Sequence, residues 1–143
     1  MGLLDKLLGK GKDYPPLDES APAFAQLDGV RENLAKLASD INDNMEIVPA
    51  DQAAYVYFGK PPKMFGISWI HEGRIVNVKT LVDEKGFSPS ALQHLTELLK
   101  GAYEDHQNED RFSYGLGEKK VTVIPSAGLA SDVGRIIEKI SQI

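Results

Sequence analysis

Few residues in this chain could do chemistry, and their spacing narrows what each could do. Asp40, Asn42 and Asn44 occupy the first three ligand positions of a calcium loop. Met45 then stands where the sharp turn needs Gly, and Asp51 where a bidentate Glu should close the site, so the trio reads as a helix end in turn-forming residues. His71, His94 and His106 are never three or four apart, which excludes a helical metal pair and leaves all three as expected surface histidines. With no cysteine, thiolate metal sites, disulfides and cysteine nucleophiles are excluded. Gly115, Gly117, Lys119 and Lys120 belong to a strand–turn–strand pattern rather than a phosphate loop, which opens a helix. Ser126 lacks the flanking pattern of a nucleophile elbow and reads as a helix cap. Glu104, Asp105, Glu109 and Asp110 share a polar connection, whereas acid–base catalysis needs carboxylates held rigidly and partly desolvated. No metal and no cofactor is expected.

Recognition chemistry has better candidates. If Val56, Phe58, Phe65, Ile67, Trp69, Val76 and Val78 form the core, strand alternation places Tyr55, Tyr57, Asn77 and Lys79 on the opposite sheet face. Two tyrosines among small polar groups (Ser68, Ser113 and Thr122 would join them) make a protein-binding surface, each offering apolar area and a polar tip. His71, Glu72 and Arg74, at a hairpin tip, are the polar groups of an alternative pocket between helix and sheet. His71 and Glu72 are adjacent near a strand end, where successive side chains diverge and do not pair. A third candidate is the N-terminus, where Leu3, Leu4, Leu7 and Leu8 recur at helical spacing beside Lys6, Lys10 and Lys12. That peptide could dock on a partner or lie weakly on a membrane surface.

These residues need elements to hold them. Residues 1–19 read as the amphipathic peptide and a Gly/Pro-interrupted linker, and residues 20–143 as one domain. Ser20 and Pro22 open a helix whose stripe is Phe24, Leu27, Val30, Leu34, Leu37 and Ile41. Three strand-like runs follow, Ala54 to Phe58, Phe65 to Ile70 and Ile75 to Val82, joined by short turns as an antiparallel meander. Ser88-Pro89 opens a second helix with the stripe Leu92, Leu95, Leu98, Leu99, Ala102 and Tyr103. A hairpin of Phe112 to Leu116 and Val121 to Val123 precedes a last helix carrying Leu129, Val133, Ile136, Ile137 and Ile140. The order α-βββ-α-ββ-α indicates an α+β fold, an antiparallel sheet with helices mainly on one face.

That order resembles class I type III secretion chaperones and the related YbjN-like domains; the resemblance covers residues 20–143 in order only, and no residue motif carries it. It implies a small, chaperone-like binding or assembly module, expected to be a homodimer. Composition agrees with a globular chain: 143 residues, 42% hydrophobic, and a net charge of −5 that disfavours nucleic-acid binding. No apolar run approaches the roughly 20 residues that span a bilayer, so no integral membrane segment is expected. With no targeting signal, the expected location is cytoplasmic. The expected function is thus non-enzymatic protein binding. The alternatives are a small-molecule sensor or enzyme built on the helix–sheet pocket, and a peripheral membrane protein addressed by residues 1–12.

Overall fold

A computed structural model describes residues 14–141. The docking peptide of Leu3, Leu4, Leu7 and Leu8 lies outside the described residues. Among these, five helices surround a six-stranded sheet: α1 (Pro22–Gly29), α2 (Arg31–Asp40), β1 (Met45–Ala50), β2 (Ala53–Lys60), β3 (Met64–His71), β4 (Arg74–Asn77), α3 (Val78–Lys85), α4 (Pro89–Asp105), β5 (Phe112–Leu116), β6 (Lys119–Val123) and α5 (Ala127–Ser141). The strand order is β4-β3-β2-β1-β6-β5, antiparallel except for the parallel pair β1–β6. The fold is α+β with a mostly antiparallel sheet.

Three elements depart from the sequence reading. The single helix expected over residues 20–41 breaks at Val30, just after the weak helix former Gly29, into α1 and α2. Ser20 does not cap it: its N–H and hydroxyl both donate to Asp18, and Ala21 precedes the first turn. Strand β1 has no alternating pattern to betray it, because as a central strand it is buried on both faces. It tolerates Pro49 because its pairing with β6 ends at Ile47. The run from Ile75 to Val82 is strand only to Asn77. There the Asn77 side chain accepts from the Thr80 backbone N–H, while the Asn77 N–H donates to the Thr80 hydroxyl. That reciprocal cap starts α3 in a stretch of otherwise strand-favouring residues.

Helices cover both faces of the sheet rather than mainly one. On the first face, α1 and α2 pack Leu27, Leu34 and Leu37 against Ile47, Val56, Ile70, Tyr114 and Val123. On the second, α3, α4 and α5 pack Leu81, Leu95, Leu99, Leu129 and Val133 against Val48, Tyr57, Ile67 and Trp69. The β2–β3 register sets Tyr55 opposite Trp69 and Tyr57 opposite Ile67. The tyrosines therefore share the Trp69 face, while Val56 and Phe58 lie on the other.

Caps read from the sequence do form at both later helices. The Ser88 hydroxyl accepts from Ala91 N–H at 3.1 Å, with Pro89 in the first turn, and the Ser126 hydroxyl accepts from Leu129 N–H at 3.0 Å. Just past the far end of α2, the Lys119 ammonium donates to the backbone carbonyls of Ile41 and Asp43, holding the loop that leads into β1.

Candidate functional site

A sheet of this kind has two edges, and this chain treats them differently. Along β5, Ser113 N–H donates to Pro15 carbonyl at 2.8 Å and Leu17 N–H donates to Ser113 carbonyl at 2.9 Å. Residues 15–17, expected as linker, thus cover that edge, and Leu17 is buried in the core. Along β4, no strand pairs on the outer side among the described residues.

Beside that open edge lies a cleft of about 570 Å³ on the first face. It exists because α1 lies over β1 and α2 over β5, which leaves the β3–β4 end less covered. Leu37 of α2 and Ile41 just after it form one wall, Phe58 and Ile75 the floor, and the exposed Val78 the mouth. Phe58 lies across Gly66 so closely that a Cβ there would sit 2.2 Å from the ring, so the glycine is what lets the ring pack down. Polar groups inside are already satisfied: the Ser68 hydroxyl donates to Val76 carbonyl at 2.8 Å, and Asn77 is the α3 cap. The charged rim is not. Lys36 and Lys79 are exposed and their ammonium groups meet no ion pair or hydrogen bond among the described residues; Asp40 is the acid among the lining residues, and Glu32 and Asp83 stand four residues from the two lysines on their helices. An apolar floor of this kind can desolvate an apolar group.

The sequence-predicted site residues divide between the two faces. Asn77 and Lys79 line the cleft. Tyr57 is fully buried under α4, its hydroxyl donating to Leu99 carbonyl at 2.9 Å, and burial beside Tyr103 pushes its pKa far up. Tyr55 is half-buried against α5, where a Cβ on Gly134 would meet its hydroxyl at 3.0 Å; burial raises its pKa as well. The expected surface of Tyr55, Tyr57, Asn77 and Lys79 therefore does not assemble, because helices α4 and α5 occupy the tyrosine face. His71, Glu72 and Arg74 are exposed at the β3–β4 turn. Glu72 sits at φ 51°, which turns its carboxylate to within 3.5 Å of His71 Nε2, so the neighbours do approach; Arg74 reaches Glu84 of α3 at 3.2 Å. Exposed pairs of this kind contribute at most about 1 kcal/mol.

Two polar clusters escaped the sequence reading. His106, expected at the surface, is mostly enclosed, with Nδ1 2.9 Å from Glu109 and Nε2 2.8 Å from Asp132. The hydrogen bonds to Glu109 and then Asp132 hold its pKa above the usual value. Ser126 donates to Glu109 rather than to the imidazole, whose nitrogens are both engaged, so the constellation clamps α4 to α5 instead of activating a nucleophile. The second cluster joins Tyr103, Glu46 and Arg111. The Tyr103 hydroxyl donates to Glu46 at 2.6 Å and accepts from Arg111 at 3.2 Å, and Arg111 lies over the Tyr103 ring. Burial, then Glu46, pushes the phenol up to about 12. The only sequence signal for either cluster was a His or Tyr at a helix end near acidic residues.

No described helix is long and apolar enough to cross a membrane. Comparison with protein-family models, curated proteins and solved structures finds no match to this chain.

Proposed function

We propose that this protein is a non-enzymatic binding module that takes up an extended segment of a partner protein along β4, with the adjoining cleft as its side-chain pocket. The observation that carries this reading is the asymmetry of the sheet: the β5 edge is covered by the chain's own residues 15–17, whereas among the described residues no strand pairs with the outer side of β4, where Ile75 stands beside the cleft and only the Asn77 N–H is taken, by Thr80. An added strand gains main-chain hydrogen bonds from the edge and selectivity from pockets that receive alternate side chains. Both sheet faces are occupied by helices, so the edge replaces the tyrosine surface as the recognition element.

Amide NMR with a pool of extended peptides tests the reading. Shifts confined to β4 and the cleft support it. Shifts on the α4–α5 surface, or β4 shifts that track protein concentration through pairing with a second copy, overturn it.

A further inference from the structure

We propose that residues 1–13 dock back on their own chain and seat Leu3, Leu4, Leu7 and Leu8 in the groove between α4 and α5. This docking is separate from the β4 reading and stands or falls without it.

The groove is apolar surface that the fold leaves uncovered. Leu98 belongs by spacing to the apolar stripe of α4, yet it is 39% exposed. With Gly101 and Ala102 of α4 and Ile136 of α5, it lines a hollow of about 430 Å³. Gly101 keeps the hollow open, since a Cβ there would meet nothing within 4 Å. A second apolar element laid into it would gain from removing Leu98 and Ile136 from water.

The path of the chain points to the occupant. Pro16 pairs in parallel with Ser113, so the chain before it runs back past the start of β5, and Tyr14 shares a hollow with Glu109 and Arg111. Glu109 holds His106, and His106 holds Asp132, which with Asp105 lines the near end of the groove. Residues 9–13 separate Leu8 from Tyr14, and five extended residues reach roughly 17 Å. The α4 side of the groove, Glu97 to Asp105, rises about 12 Å, room for the about 8 Å of a helix from Leu3 to Leu8.

Charge agrees with that path. From Glu97 to Asp110 five acids stand against Lys100, His106 aside, while on α5 Asp132 and Glu138 are balanced by Arg135 and Lys139. Residues 1–13 carry three lysines against two aspartates in a chain of net charge −5. Lys10 and Lys12 fall on the stretch that must pass Glu109 and Asp105, where a cation relieves repulsion among the acids.

The test uses the full chain. It has no cysteine, so Gly2→Cys accepts a single nitroxide label, and paramagnetic broadening of the amide spectrum reports where residues 1–13 lie. The expected result is broadening concentrated at Leu98, Gly101 and Ile136 and independent of protein concentration. Gly101→Leu should abolish it by filling the groove; leucine meets open space there and favours a helix more than glycine does, so the variant stays folded. Leu4→Glu with Leu7→Glu should abolish it from the other side. Broadening that is absent, spread evenly over the surface, centred on another face, or unchanged in Gly101→Leu overturns the proposal. Broadening of unlabelled copies mixed with labelled ones overturns it too, because the segment then docks on a second chain.

Discussion

The Nε2 of His106 lies 2.8 Å from Oδ2 of Asp132, joining the C-terminal end of α4 to the early turns of α5 across 26 residues of sequence. Glu109 holds the other ring nitrogen, and Ser126 holds Glu109. An imidazolium donating to two carboxylates is worth more than the neutral ring, so the clamp depends on pH.

The sign follows from both partners. A histidine with a raised folded pKa contributes fully below its ordinary value of 6.5 and loses that contribution as pH climbs through the raised value. Glu109 is depressed below 4.5, chiefly by His106 and then Ser126, so its contribution fades as pH falls through that lowered value. The clamp is accordingly strongest between those limits. Replacing His106 by Gln should cost about 1 kcal/mol near pH 5.5 in denaturant unfolding, with the difference shrinking above neutrality. A gap constant from about pH 5.5 to about pH 9 would contradict it.

Gly128 gives an independent handle on the same clamp. A Cβ at that position would stand 2.8 Å from His106 Cε1, and the ring is pinned by two carboxylates. Gly128→Ala should therefore displace the imidazole and return its NMR titration toward 6.5, offsetting the roughly 1 kcal/mol an alanine can add to a helix. An unmoved titration would show that the ring yields without losing its partners.

Tyr57 and Trp69 should behave as core residues. Tyr57→Phe removes one buried hydrogen bond, at about 1 kcal/mol, whereas Tyr57→Ala and Trp69→Ala should each cost about 3–5 kcal/mol. Calorimetry or denaturant unfolding decides this; a loss under about 1 kcal/mol for either alanine variant would place that side chain outside a packed core.

Alkaline titration should separate the tyrosines. Tyr103 is pushed up to about 12 and Tyr57 further, both mainly by burial. A raised folded pKa stabilises below the unfolded value of 10.0 and is lost as pH rises through the folded one, so stability should decline from about pH 10 upward. Ultraviolet titration should show Tyr57 and Tyr103 ionising only as the protein unfolds, and Glu46→Gln should ease the ionisation of Tyr103.

Gly66→Ala probes the cleft floor. The Phe58 ring occupies the space a Cβ would take, so it must move, at about 1–3 kcal/mol. Peptides selected on wild type should bind this variant more weakly while it remains folded by circular dichroism; unchanged affinity would mean that Phe58 is not part of the pocket.

Elements whose evidence is local were legible along the chain. Apolar stripes at three-to-four-residue spacing marked α4 and α5, Ser88-Pro89 and Pro125-Ser126 marked their starts, and alternation with tight turns marked β2, β3 and the β5–β6 hairpin. Together these were enough for the α+β class. Tertiary structure decided the rest. Alternation shows that Tyr55 and Val56 face opposite ways, but when helices cover both faces neither parity is the wet one, and only the β2–β3 register assigns Tyr57 to the Trp69 side. Strand β1, buried on both faces, carries no period at all, and α3 is set by one capping exchange at Asn77. His106 and Asp132 are brought together by the packing of α4 on α5, and Lys36 of α2 and Lys79 of α3 meet only across the cleft they both line. Such meetings depend on where rigid elements settle against one another, and no pattern along the chain records that.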